Sequence, residues 1–212
     1  MKFRIPALLL MIALCFGGCS DSDDDESYPS LIHEFAMAQA NGEGLLTSFV
    51  TDAGNTYSVV NPVKGMKANE VLRVLLGFEV QDAGKARVYS AQAIIVLPNN
   101  KGQAELVQDP VGVESVWMAG GFLNLHLLPR TQGQKQAWAF QCDTLENTLG
   151  GKTYHLSLWH DQLDDPSSYS SHFYTCVDLD SVATAFLPGD SVIMTIASFK
   201  GARTWQFGKL DK

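Results

Sequence analysis

The sequence predicts an all-β protein of two domains. Short runs of alternating apolar and polar residues recur along most of the chain, and Gly, Asn, Asp and Pro separate them. The rhythm breaks once, at Pro98-Asn99-Asn100-Lys101-Gly102. In the first block, Leu31, His33, Phe35 and Met37 fall on one face of a first strand. Leu45–Thr51 and Thr56–Asn61 flank Asp52-Ala53-Gly54-Asn55, residues that tolerate left-handed backbone and so favour a hairpin turn. Leu72, Val74, Leu76, Phe78 and Val80 alternate along a fourth strand, with Arg73 and Glu79 pointing the other way. Tyr89 through Leu97 supplies a fifth strand. Five strands suit a small OB-like barrel over residues 30–98.

The second block, 104–212, opens with Val113–Ala119 and Phe122–Leu128 around Gly120-Gly121, a hairpin pattern. Gln136–Cys142, Thr153–His160, Ser171–Val177, Val192–Phe199 and Ala202–Leu210 continue it. A helix-like excursion at Asp180–Phe186 is closed by Pro188-Gly189-Asp190. Seven such strands read as an immunoglobulin-like β-sandwich. Trp117, Trp138, Phe140 and Phe207 are its expected core aromatics.

Ahead of both domains lies a processing signal. Lys2 and Arg4 form a positive n-region, Ile5 to Phe16 is apolar apart from Pro6, and Gly17-Gly18 precede Cys19. This is the pattern of a secretory leader over 1–18, too short for the roughly 20 apolar residues of a spanning helix. A small pair followed by Cys resembles a bacterial lipobox, which implies lipidation of Cys19 and a membrane anchor. The tether 19–29 carries Ser20, Asp21, Asp23, Asp24, Asp25 and Glu26. It is not a calcium loop, because Glu26 and Ile32 stand where an EF-hand needs Gly and Glu. It resembles the surface-export signal of Bacteroidetes lipoproteins, and the expected location is the outer membrane, on the cell's outer face.

The formal charge is −8. Without the leader's two cations and the tether's five acids the remaining chain is still acidic, which argues against a nucleic-acid partner. With Cys15 in the leader and Cys19 lipidated, two cysteines remain. Cys142 shares a face with Trp138 and Phe140, whereas Cys176 lies opposite Phe173, Thr175 and Val177 and is expected to point outward. A Cys142–Cys176 disulfide is the alternative to two separate thiols.

Several segments carry a family resemblance. They are Cys19 with its acidic tract, Asp52-Ala53-Gly54, Arg73-Val74, Leu158-Trp159-His160, and Asp178-Leu179-Asp180-Ser181-Val182 leading into Pro188-Gly189-Asp190-Ser191-Val192. In order and spacing the chain resembles the NigD-like lipoproteins of Bacteroidetes over essentially all its mature length. The resemblance implies an OB-type N-terminal domain and a β-sandwich C-terminal one. It brings no activity and no catalytic residues. After His160 the chain departs from the family's Asn-rich turn, reading Asp161-Gln162-Leu163-Asp164-Asp165.

Catalytic signatures are lacking: there is no G-x-S-x-G elbow, Walker loop or dinucleotide fingerprint, and Met37 spoils the zincin spacing begun by His33-Glu34. No enzyme activity and no cofactor are expected. If Thr153–His160 and Ser171–Val177 pair as a hairpin, His160 and His172 approach each other with Asp161, a set able to hold a metal; a plain polar strand end is the stronger expectation. Trp159 and His155 share a strand face, and Tyr169 follows in a Ser-rich loop, offering aromatic surface for a ligand. The expected partners are the membrane, through the lipid, and a glycan, peptide or protein. A periplasm-facing structural or bacteriocin-immunity protein is the alternative, and an uncharacterised hydrolase a more distant one.

Overall fold

Alternation decides which side of each strand is buried, and in the first domain it buries a narrow interior. The computed structural model describes residues 30–101, 107–148, 151–183 and 186–208. The leader, Cys19 and the acidic tract lie outside these. β1 (Ile32–Ala40), β2 (Leu46–Thr51), β3 (Thr56–Val59), β4 (Val71–Asp82) and β5 (Lys85–Ala93) close into a barrel in the order β1-β2-β3-β5-β4. The β3–β5 pair is parallel and the others antiparallel.

Inside the barrel, Phe49, Tyr57 and Phe78 form an aromatic cluster, with Phe49 and Phe78 centroids 4.9 Å apart. β1 faces this cluster with Ala36 and Ala38, not with the larger residues of its other face. Small side chains opposite large ones are what a five-stranded interior has room for. Phe35 is therefore turned out of the barrel, and there it is buried against the second domain.

The second domain begins earlier than the Pro98–Gly102 break. The strand expected through Leu97 is two strands: after β5 the chain turns at Ile94, and β6 (Ile95–Val96) joins another sheet by pairing in parallel with a later strand. There follow β7 (Gly112–Ala119), β8 (Phe122–Leu128), β9 (Arg130–Thr131), β10 (Ala137–Thr148), β11 (Gly151–Asp161), β12 (Tyr169–Ser170), β13 (Phe173–Asp178), α1 (Leu179–Val182), β14 (Ser191–Ser198) and β15 (Gly201–Gly208). Sheets β10-β11-β14-β15 and β6-β13-β8-β7 form the sandwich, and β9 pairs with β12. Phe140, Leu156, Leu158, Met194 and Ile196 from one sheet meet Leu123, Leu125, Leu127 and Val177 from the other.

Two expectations change here. Thr153–His160 and Ser171–Val177 do not pair: β11 lies between β10 and β14, while β13 lies between β6 and β8. Long-range pairing, not adjacency in sequence, sets both neighbours. Cys176 does not point to solvent, because the face of β13 opposite the sandwich core is covered by the barrel. It is fully buried with Phe35 and Ile94.

Candidate functional site

Barrel and sandwich belong to one compact unit, Leu31–Lys212, and their seam is built around a buried charge. Arg73 sits on the β4 face opposite Val74 and Leu76, so it leaves the barrel and enters the seam, where the residue is only 2% exposed. Its Nη1 donates to Asp52 Oδ1 at 2.5 Å, and its Nη2 donates to Asp52 Oδ2 at 2.7 Å and to Asn124 Oδ1 at 2.9 Å. Asn124, on β8, donates back to Asp52 Oδ2 at 3.2 Å. The guanidinium lies over the Phe122 ring at 4.1 Å and the Phe35 ring at 5.3 Å.

The turn that presents Asp52 is held by Thr51 and Asn55, whose backbones bond at 2.9 Å, with Gly54 at φ 86°. Facing it is the β7–β8 turn, where Gly120 and Gly121 have φ of 60° and 85°. A Cβ on Gly120 would collide with the Asp52 carboxylate. Glycine there serves both the left-handed backbone and the close approach. Beside the guanidinium, burial pushes the Cys176 thiol up to about 11, with Arg73 opposing, so it stays protonated.

On either side of the Asp52 turn the seam opens into a cleft. The first, about 590 Å³, is lined by His33, Glu34, Phe35, Leu75, Trp117 and Tyr174, with Asp52 and Ala53 from the turn. The rings are held from behind: Phe35 packs edge-on to Trp117 at 5.3 Å and to Tyr174 at 6.0 Å. Glu34 stands at the end of the barrel; burial, then the Asp52 charge, push its carboxyl above the ordinary value, with the Thr51 hydroxyl opposing. The second cleft, about 580 Å³, lies between the same turn and Met118, Gly121, Leu179 and Phe186.

The residues singled out from the sequence are dispersed. His160 points into the sandwich, stacked on Trp138 at 3.8 Å. Its Nδ1 is 2.9 Å from the Asp109 carbonyl and its Nε2 3.0 Å from Gln136 Oε1. His172 instead meets His126, Nδ1 to Nε2 at 2.8 Å, and His126 stacks on Tyr174 at 4.2 Å. The Asp161 carboxylate accepts the Leu163 backbone N–H at 2.8 Å. His160, His172 and Asp161 are thus engaged separately, and among the described residues no group of three His, Cys, Asp or Glu is placed to hold a metal ion.

Trp159 is half-buried on the outward face of β11 with His155, whose Nε2 is 3.5 Å from Glu146. Tyr169, 56% exposed, lies elsewhere, on β12, and lines a smaller hollow with His172, Gln136 and Trp138. Cys142 and Cys176 are on different sheets, and no disulfide joins them. Sequence reasoning missed the seam itself. Its available signal was Arg73, a charge on the second face of a strand whose first face is already core.

The histidines predict a pH dependence. Burial lowers the His160 pKa below its ordinary 6.5, with the Asp109 carbonyl and the Asp109 and Asp161 charges opposing. Burial, then His172, lower His126, with Glu114 opposing. Both groups bind fewer protons folded than unfolded, so stability is full above the ordinary value of 6.5 and falls as pH drops below it. We expect Tm to fall by a few degrees between about pH 7.5 and 5.5, and His160→Gln to flatten that slope. A Tm that is constant or rises with acidification contradicts this.

A five-stranded closed barrel whose buried Arg73–Asp52 pair hydrogen-bonds to Asn124 of a two-sheet sandwich defines a two-domain, all-β protein. The sandwich identifies it further. Residues 94–208 match the family described as the NigD-like C-terminal beta sandwich domain, and the chain belongs to that family. The match begins at Ile94, where the chain leaves the barrel. Among solved structures, a NigD-like immunity protein from Bacteroides caccae is 27% identical, with TM-score 0.64 over 86% of this chain and 94% of that one. A protein of unknown function from Bacteroides vulgatus, 16% identical, superposes with TM-score 0.66 over 86% and 92%. A candidate lipoprotein from Bacteroides fragilis, 11% identical, superposes with TM-score 0.60 over 86% and 100%. The last two show the fold. No curated protein matches the chain.

Proposed function

We propose that this chain is a lipoprotein anchored through Cys19 in the outer membrane and displayed on the cell's outer face, where it binds a glycan, peptide or protein partner without transforming it. The observation that carries the binding reading is the cleft at the seam, whose aromatic walls Trp117 and Tyr174 pack on Phe35, which in turn lies against the buried Arg73 guanidinium. A concave site on a rigid support, with apolar walls and a few polar groups, is the usual form of a ligand pocket. Two observations support a non-catalytic role. The family is not a known enzyme family. Of the two carboxylates at the cleft, Asp52 has both oxygens engaged by Arg73 and Asn124, which gives it a structural role in the seam. Location rests on the leader, Cys19 and the Ser20–Glu26 tract.

Protease treatment of intact cells tests the display. We expect the wild type to be cut and a variant with Asp21, Asp23, Asp24, Asp25 and Glu26 all changed to alanine to be protected. Cys19→Ala should also lose incorporation of labelled palmitate. If wild type and tract variant are both protected while lysed controls are cut, the protein faces the periplasm. That outcome favours the second reading, an immunity-type envelope protein, which the name of the Bacteroides caccae relative supports.

A further inference from the structure

We propose that His126 and His172 form a surface site for a single zinc or copper ion, bound between His126 Nε2 and His172 Nδ1. The site is separate from the seam cleft and does not depend on its reading. It arises from strand register. His126 on β8 is the cross-strand partner of Tyr174 on β13, so His172, two residues before Tyr174, falls on the same face and diagonal to it. The facing nitrogens are 2.8 Å apart, whereas the ring centroids are 5.0 Å apart with their planes inclined by only 29°. That combination sets the imidazoles edge to edge, each aiming one nitrogen at the other.

Two neutral imidazoles so placed share one hydrogen bond, one ring donating and the other accepting. Moving that proton to the donor ring's other nitrogen leaves two lone pairs facing each other, and neither ring changes charge. Tetrahedral zinc, with Zn–N of about 2.0–2.1 Å, needs its two nitrogens about 3.3 Å apart, so the rings must part by only about half an ångström. The pair is built for that adjustment. The His126 ring is stacked on Tyr174, centroids 4.2 Å apart, and is the fixed ligand. His172 is exposed and precedes the first residue of β13, so it is the one that moves.

The electrostatics agree with the geometry. Burial, then His172, hold the His126 pKa below its ordinary value, with Glu114 opposing, so at neutral pH this ring is in the form that binds a metal. Glu114 is the extra residue of the β7 bulge, between the partners of Leu127 and His126, and its charge reaches the His126 ring. The salt bridges formed among the described residues do not include it, so it is free to offset part of the ion's charge. The described residues hold no ready-made set of three ligands, so water completes the shell. Two imidazoles suit zinc and copper; calcium and magnesium require oxygen donors.

The test titrates the intact, tag-free protein in detergent at about pH 7.5 with zinc or copper chloride, and with calcium and magnesium chlorides as controls. We expect one equivalent of zinc to bind in the micromolar range, to shift the imidazole NMR signals of His126 and His172, and to raise Tm. Acidification to about pH 5.5 should release it, because both ligands must be unprotonated. His172→Gln, an exposed change, should keep the metal-free Tm near wild type and weaken zinc binding more than about tenfold, since losing a ligand costs at least as much as losing a ligand's partner. His155→Gln, on the other sheet, should leave zinc binding unchanged. The proposal is overturned if neither zinc nor copper binds below about millimolar concentration, if binding survives His172→Gln, or if the shifts map to other histidines. An equal response to magnesium marks an adventitious ion only and overturns it as well.

Discussion

Arg73→Met unfolds more readily than wild type by about 3–5 kcal/mol, the usual cost of removing one partner from a buried ion pair. Methionine keeps much of the side-chain volume, so the loss is electrostatic rather than a cavity. Asp52 would keep its charge with its side chain 9% exposed, and Asn124, fully buried, would lose its acceptor role. Arg73→Lys is expected to recover little, because an ammonium cannot span both Asp52 oxygens and Asn124 as the planar fork does. The double variant Arg73→Met, Asp52→Asn should be more stable than Arg73→Met alone, since the orphaned charge is gone. Denaturant unfolding measures all three. A single variant within about 1 kcal/mol of wild type would show that the pair is incidental to the seam.

The second large effect is expected at Asp165, 3% exposed in the loop between β11 and β12. Its carboxylate accepts from the Thr131 hydroxyl, the Gln132 N–H at 2.8 Å, the Gln134 N–H at 3.4 Å and Gln136 Nε2 at 2.8 Å. Burial alone would push this carboxyl up, but those hydrogen bonds outweigh it and hold it below its ordinary value. Gln136 in turn sets the position of the acceptor facing His160. Asp165→Ala strands several donors at once and should lower Tm by roughly 5–10 °C, with greater exposure of the loop to proteolysis. Asp165→Asn keeps one acceptor oxygen and should fall between. An alanine variant as stable as wild type would mean that water replaces the carboxylate at no cost.

Much of the fold was legible because alternation is local. Val74, Leu76 and Phe78 on one side of β4 and Arg73 on the other are where the period-2 pattern puts them. The Asp52–Asn55 and Gly120-Gly121 turns are likewise written in residue types that accept positive φ. The family resemblance carried by Asp52-Ala53-Gly54 and Arg73-Val74 gains a physical meaning, since those residues meet in the buried cluster that joins the two domains.

Other features were not legible because they depend on which surfaces meet. Cys176 reads as outward from its own strand, and it is outward from the sandwich core; the barrel then covers it. His160 and His172 are close in sequence but sit on strands of different sheets, so the hairpin that would have joined them does not form. Asp165 looks like one acid in a polar turn until Thr131 and Gln136 arrive from a distant loop.

What the sequence determined by itself is the all-β class and the turns; each is encoded in neighbouring residues, where sterics and period act locally. What only the tertiary structure decided is the seam. Phe35, Arg73, Asn124, Trp117, Tyr174 and Cys176 come from five strands in both domains, and burial and pairing give them their roles only once those strands have docked.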